Sequence, residues 1–240
     1  MQIIIGGIIM GCIYALTAIG LVLIYRTTEV VNFAHGEMAM ITTFISYIFL
    51  SRYDLPYFIS FLLAILFAIF FSFIIYQFFM RRVQDAPHLN QIVLTLGLFL
   101  LLNGLASLIW GYQPSAFPEA ITSSELVHLF NVYITKNEIF IIFITFLLIV
   151  IFFLLFRYTK VGMATRATAQ SIVNSELMGI NVTNIFLIVW TVSAVLGGIA
   201  GILTAPMTFL SPNMMFDIII LAFAAAVLGG FISLIGTIIG

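Results

Sequence analysis

Hydrophobic residues in this chain neither alternate with polar ones nor keep to one helical face. They run on, apolar on every side, for about 17 to 25 residues before a charge or a turn intervenes. Runs of that kind predict membrane-spanning helices and exclude the strands of a membrane barrel, which alternate and need only about 9 to 11 residues. The pattern predicts about seven spans, at 3–25, 30–50, 57–80, 89–109, 139–156, 185–205 and 218–240. A half-spanning segment would break the alternation of these spans, and runs 30–50 and 218–240 are the places where one would fall. The last also reads as a helix, a glycine turn at 229–234 and the start of another helix. The first run is 23 uncharged residues with no basic stretch before it, too long for a cleavable signal and long enough to span. The expected fold is an all-α polytopic membrane protein, one transmembrane domain over 1–240.

Composition agrees. Charged residues make up 7% of the 240 positions and hydrophobic ones 63%, against about 25% and 45 to 50% in soluble domains. A soluble fold of this size could not cover so much apolar surface. The net charge of −1 and the lack of any dense basic stretch exclude nucleic acid as a partner. Cys12 stands alone, so no disulfide framework or thiolate metal site is available.

Charge scarcity turns the basic residues into topology markers. Strict alternation of the spans puts Arg26, Arg81, Arg82, Arg157, Lys160 and Arg166 on one side and only Arg52 and Lys136 on the other. The first side is therefore expected to be cytoplasmic. On this reading the N-terminus, the loop 111–138 and the loop 206–217 face outward. Within the outer loop, 121–133 is expected to form a short amphipathic helix at the interface. The cytoplasmic loop 157–184 is expected to hold two short helices. The first runs over 163–173; Asn174 or Ser175 caps the second, Gly179 sits just past its end, and Thr183 caps the next span.

Glycines recur at a spacing of four. The pairs Gly7 and Gly11, Gly197 and Gly201, and Gly236 and Gly240 predict close helix packing, chiefly within the chain. The stretches 6–11 and 197–201 also look loosely alike, as an internal inverted repeat would.

Enzymatic chemistry finds little support. Lys136 and Lys160 are followed by Asn137 and Val161, so neither belongs to a phosphate-binding loop, and the chain carries no ATPase site of its own. No serine elbow and no H-E-x-x-H helix is present. His35, His88 and His128 lie on separate segments, so a histidine metal site is not expected. The exception to the apolar pattern is the run Asn32, Phe33, Ala34, His35, Gly36, Glu37. Were a helix to begin near Val30, Glu37 would lie roughly 10 Å below its start, an expensive place for a carboxylate unless it is paired or hydrated. On such a helix Asn32 and Gly36 share a face, whereas His35 and Glu37 project about 200° apart. The motif is either the polar lining of a pathway or a satisfied network that fixes a helix break, with Arg26 as the expected partner of Glu37. The other polar residues within spans, among them Thr17, Gln91, Thr95, Asn103 and Ser193, are neutral. They are expected mostly to bond their own helix.

These residues carry a resemblance. Asn32 to Glu37 after an apolar first span is similar to the signature of the LivH type of branched-chain amino acid ABC transporter permeases. So are the stretches 162–170 and 177–182, the run Ser193 to Gly201, and the run Ala226 to Gly236. The resemblance covers nearly the whole chain. Ser171, Ile232 and Ile235 depart from the family's usual Asp, Gly and Pro. Relatives continue beyond the glycine turn, so the chain reads as C-terminally truncated. The resemblance implies a permease subunit of an importer for leucine, isoleucine and valine, with urea or short amides as the alternative cargo in the same family. An ion-coupled secondary carrier is a more distant reading. The resemblance also implies partners: a second, LivM-like permease subunit, two cytoplasmic ATPases that hold ATP and magnesium, an extracytoplasmic binding protein, and lipid. No cofactor is implied in this chain. Gly162, Arg166, Ala167, Gln170 and Gly179 are then expected to belong to the coupling segment seated on an ATPase.

Overall fold

The computed structural model describes residues 2–121, 126–129, 132–231 and 233–240. Among the described residues ten α-helices follow one another: α1 (Gln2–Thr28), α2 (His35–Ser51), α3 (Tyr57–Phe78), α4 (His88–Trp110), α5 (Lys136–Tyr158), α6 (Lys160–Gln170), α7 (Ile172–Leu177), α8 (Val182–Thr208), α9 (Phe216–Gly229) and α10 (Leu234–Ile239). Among them, α1, α3, α4, α5 and α8 are long and apolar enough to cross a bilayer. The fold is that of an all-α polytopic membrane protein. Its helix ends follow local chemistry. Pro56 and Pro87 immediately precede α3 and α4. Thr159, Ser171, Asn181 and Ser233 each accept a backbone N–H at the start of α6, α7, α8 and α10.

Four expectations need correction here. The final run is not one span: α9 ends at Gly230, which adopts φ 86, and α10 follows, as the helix, turn and helix alternative has it. In the cytoplasmic loop the first helix covers 160–170 rather than 163–173, because the Ser171 side chain accepts the Asn174 N–H at 3.2 Å and starts a new helix there. The next span is capped by Asn181, which accepts from Asn184 at 3.1 Å, not by Thr183. In the outer loop, the helix expected over 121–133 is absent from the described residues of that stretch. Strands β1 (Leu126–Leu129) and β2 (Val132–Thr135) pair antiparallel instead, with Leu126 opposite Thr135. The strands are short and rich in Val, Ile and Thr, which favour extended backbone. The second runs directly into a capping box, Thr135 with Glu138, that opens α5. Residues 122–125 and 130–131 lie outside the described residues.

At the centre, α8 packs against α1, α2 and α3, and α1 also packs against α5, α9 and α10. Helices α1 and α8 are mostly buried, while α3, α4 and α5 leave most of their apolar surface uncovered. Lipid tails are as apolar as leucine, so such surface carries no penalty in a bilayer.

Helices α1 and α8 are each 27 residues long and run antiparallel. The end of α1 lies by α6, while the end of α8 reaches the other side, where Leu210 and Ser115 exchange two backbone bonds of 2.9 Å. Each helix terminates in a non-glycine residue of positive φ, Glu29 at 58° and Phe209 at 64°. Each is followed by a short irregular segment with an asparagine three positions before the next helix. Asn32 and Asn213 offer their backbone carbonyls to the N–H of His35 (3.3 Å) and Phe216 (3.0 Å), the first residues of α2 and α9. The two halves form an inverted pair, aligned by Glu29 with Phe209 and by Asn32 with Asn213. The glycine stretches 6–11 and 197–201 do not align them.

Neither α2, with 17 residues, nor α9, with 14, is long enough to cross, since about 20 residues are needed for a 30 Å core. Their N-termini meet inside the bundle, where Gly36 lies against Met215 and Ile219. From there they diverge. Helix α2 carries Phe44 and Tyr47 to Trp110 and Phe117, and α9 leads to Phe231 beside Tyr25.

Candidate functional site

The motif 32–37 is a helix break rather than a helix start. Asn32 lies outside α2, so it shares no helical face with Gly36. Its side-chain oxygen accepts the Ala34 N–H at 3.0 Å, turning the backbone into α2. Helix α2 then begins at His35 rather than Val30. His35 is buried beside Gly20 of α1 and Gly197 of α8. The Ser193 hydroxyl donates to the Gly20 carbonyl at 2.8 Å and lies 3.2 Å from His35 Nδ1. With its proton committed to Gly20, the Ser193 oxygen accepts from an Nδ1–H tautomer. His35 thereby joins the three central helices at one point.

Glu37 points elsewhere. Its expected partner, Arg26, lies near the end of α1, while α2 starts beside Gly20 and runs away from it. The carboxylate instead accepts from Asn103 of α4, with Nδ2 at 3.3 Å from Oε2. The same Asn103 Nδ2 lies 3.3 Å from the Pro212 carbonyl and 3.3 Å from Asn213 Oδ1. Helix α4 thus straps both broken segments. Near its start, Thr95 donates to the Val31 carbonyl at 3.3 Å; further on, Asn103 holds the loop before α9. Irregular backbone inside a bilayer needs such partners.

Asn103 lies seven residues before Trp110, roughly 10 Å from the end of α4, so this polar group is well inside the membrane. It is also open to the side of the molecule: Asn213 and Asp217 are exposed and Asn103 is half-buried. Asp217, read from sequence as a loop boundary, is the second residue of α9 and joins Glu37 as a carboxylate at depth. The two hydrogens of the Asn103 carboxamide face three acceptor groups, so one of the three is left for another donor.

Sequence reasoning missed Asn103, Asn213 and Asp217 as site residues. The available signal was the stripe Gln91, Thr95 and Asn103 along α4. The expectation that intramembrane polar residues bond their own helix holds for Thr17, Thr42, Thr43, Thr191 and Thr204. Asn103 and Ser193 reach across to other elements, and Thr95 divides its hydroxyl between Ile92 and Val31.

The coupling residues cluster at a second place. A Cβ on Gly162 would fall 2.1 Å from the Phe156 carbonyl oxygen, so only glycine allows α6 to fold back on the end of α5. The Arg166 guanidinium donates to that same carbonyl and, at 3.5 Å, to the Arg157 carbonyl. Two residues expected to face a partner therefore pin α6 to α5. Ala167 is half-buried and Gln170 is exposed. Gly179 adopts φ 81 just past α7; its N–H donates to Glu176, and that of Ile180 to Ser175. That pair of bonds is a Schellman motif, which favours glycine at this position. Around these residues Met163, Val173, Leu177 and Met178 are exposed.

Of the packing glycines, Gly197 and Gly201 touch α2, Gly201 lying against Thr43 and Ala39. A Cβ on Gly7 or Gly11 would meet nothing within 4 Å beyond the backbone of α1 itself, so the intrachain packing expected of them is not made. That part of α1 is left uncovered.

A bundle of apolar helices with inverted broken segments meeting on a polar cluster inside the membrane defines a membrane transport protein. The branched-chain amino acid transport system permease component family matches residues 3–240, and the chain belongs to that family. It is 29% identical to the high-affinity branched-chain amino acid transport system permease protein LivH of Salmonella typhimurium, over 98% of this chain and 80% of that one. Identity to the permease protein BraD of Pseudomonas aeruginosa is 28%, over 100% of this chain and 82% of BraD. A probable LivH of Methanocaldococcus jannaschii is 28% identical over 98% of this chain and 76% of its own length. No solved structure gives a significant match.

Proposed function

We propose that this chain is the membrane-embedded subunit of an ATP-driven importer of branched-chain amino acids, and that Glu37, Asn103, Asn213 and Asp217 border the solute path. The observation that carries the pathway assignment is the lateral opening of this cluster. Exposed carboxamide and carboxylate groups at that depth are costly against hydrocarbon, so the face belongs against a second permease subunit, with the path between them. Two carboxylates and an excess of acceptors suit the ammonium end of an amino acid better than a neutral urea or amide. The exposed apolar side chains of 3–4, 100–101 and 108–109 suit lipid contact.

Motor and delivery come from other chains. Two cytoplasmic ATPases hold ATP and magnesium, and an extracytoplasmic protein hands over leucine, isoleucine or valine in the inner membrane. The ATPase docks on α6 and α7, with Gln170 and the exposed Met163, Val173, Leu177 and Met178 as the contact. Gly162 and Arg166 transmit rather than touch: they tie α6 to the end of α5, and α6 also packs on α1 and α8, the helices that carry the two broken segments. Nucleotide binding then biases a two-state bundle.

The test is reconstitution in proteoliposomes. ATP-dependent leucine uptake is expected only when this chain, its permease partner, the ATPases and the binding protein are all present. Comparable leucine flux through liposomes holding this chain alone would overturn the proposal.

A further inference from the structure

Helices α1, α5 and α10 border a cavity of about 640 Å³ that lies apart from the polar cluster and reaches the coupling corner at one end. Its walls are apolar, including Leu23, Phe152, Phe156, Leu234 and Ile238, and its end by α6 carries Arg26, Arg157 and Arg166 from three different helices. Among the described residues no carboxylate lines it. Along α1 the cavity runs from Ile19 to Arg26, and along α5 from Ile149 to Arg157, a length of roughly 10 to 12 Å parallel to the helices. The cationic end therefore lies where the helices leave the membrane, and the apolar end points toward its middle.

The guanidinium groups have capacity to spare. Arg26 takes no part in the ion pair found among the described residues, that of His88 with Glu29 at 3.8 Å. Arg166 donates to the backbone carbonyls of Phe156 and Arg157, whereas a guanidinium has five N–H donors. A second cavity of about 550 Å³ shares Arg26 and Arg166 and adds His88, Gln170 and Glu29, the last paired with His88. It gives a head group room beyond the phosphate.

We propose that this cavity is a binding site for an anionic glycerophospholipid of the adjoining leaflet. One acyl chain fills the groove between α1, α5 and α10, and the phosphate is held by Arg26, Arg157 and Arg166. An apolar slot of acyl-chain proportions that ends in three cations matches that amphiphile better than a free anion, which has no use for the slot, or a zwitterionic lipid, which offsets the charge. The bound lipid would bridge α1, α5 and α6, the elements that meet at the coupling corner.

The experiment uses the full chain, purified in detergent and delipidated, with binding followed by native mass spectrometry. The probes are short-chain phosphatidylglycerol, the matching phosphatidylcholine, and inorganic phosphate. Phosphatidylglycerol is expected to bind on the order of tenfold more tightly than phosphatidylcholine, and the Arg26→Gln, Arg157→Gln double variant to lose that preference. Leu23→Trp, which fills the slot and leaves the arginines in place, is expected to abolish lipid binding. Equal binding of the two lipids overturns the proposal, as does unchanged preference in the double variant. Phosphate binding as tightly as phosphatidylglycerol reassigns the arginines to a free anion and overturns it too. Absence of any lipid adduct, as when a protein segment occupies the slot, has the same consequence.

Discussion

His35 and Gly197 come from helices 162 positions apart in the chain, yet a Cβ on Gly197 would fall 2.9 Å from two atoms of the His35 ring. A Cβ on Gly20 would fall 2.7 and 2.9 Å from the same two ring atoms. The imidazole is buried and hydrogen-bonded to Ser193, so it has little freedom to give way. Gly20→Ala and Gly197→Ala are therefore expected to lower stability by about 1 to 3 kcal/mol each, as overpacking does. Gly7→Ala, facing open space, is expected to leave it unchanged. Thermal unfolding of the detergent-purified variants checks this; equal stability for all three would contradict the packing.

Glu37 and Asn103 are expected to act on uptake rather than on assembly. In the complete reconstituted transporter, Glu37→Gln should slow leucine uptake by about 10- to 100-fold, the scale of losing one hydrogen bond to a charged group. Glu37→Asp should recover part of the rate, and co-purification with partner subunits should persist in both. Wild-type uptake by the Gln variant would remove Glu37 from the pathway.

Gly162 and Arg166 converge on one carbonyl, that of Phe156. Gly162→Ala puts a methyl group onto that oxygen, and Arg166→Ala removes the donor; either should detach α6 from α5. ATP-dependent uptake is expected to fall at least about tenfold in both, with membrane insertion intact. Arg166→Lys should rescue poorly, because a single ammonium does not reproduce the planar fork. Full uptake in the Gly162 variant would show that the corner does not transmit force.

The sidedness proposed for the loops is open to chemical labelling. With Cys12 replaced by Ser, a single cysteine at Lys160 is expected to react with a membrane-impermeant maleimide only after the membrane is opened. A cysteine at Gln113 is expected to react in intact cells. The reverse pattern would invert the topology.

Much of the bundle is legible in the sequence because span length is fixed by bilayer thickness, and apolar runs of that length have few other uses. The short helix of the final run was foreshadowed by Gly229 and Gly230, whose backbone freedom allows a turn where a span would otherwise continue. Residue 32–37 chemistry was legible as an anomaly and no further. A carboxylate in an apolar stretch announces that a partner exists, but Asn103 lies 66 positions away and has no local pattern that links it to Glu37.

The sequence by itself determined that this protein lives in a membrane, which ends of its helices carry the basic residues, and where the chain must turn. These follow from solvation, which each residue meets largely on its own. Tertiary structure alone decided that the N-termini of α2 and α9 meet inside the bundle, that α4 straps their approaches, and that Gly162 and Arg166 share a carbonyl. Those facts depend on the distances between segments remote in the chain. Side-chain reach and backbone satisfaction inside the bilayer set those distances, and no single stretch contains them.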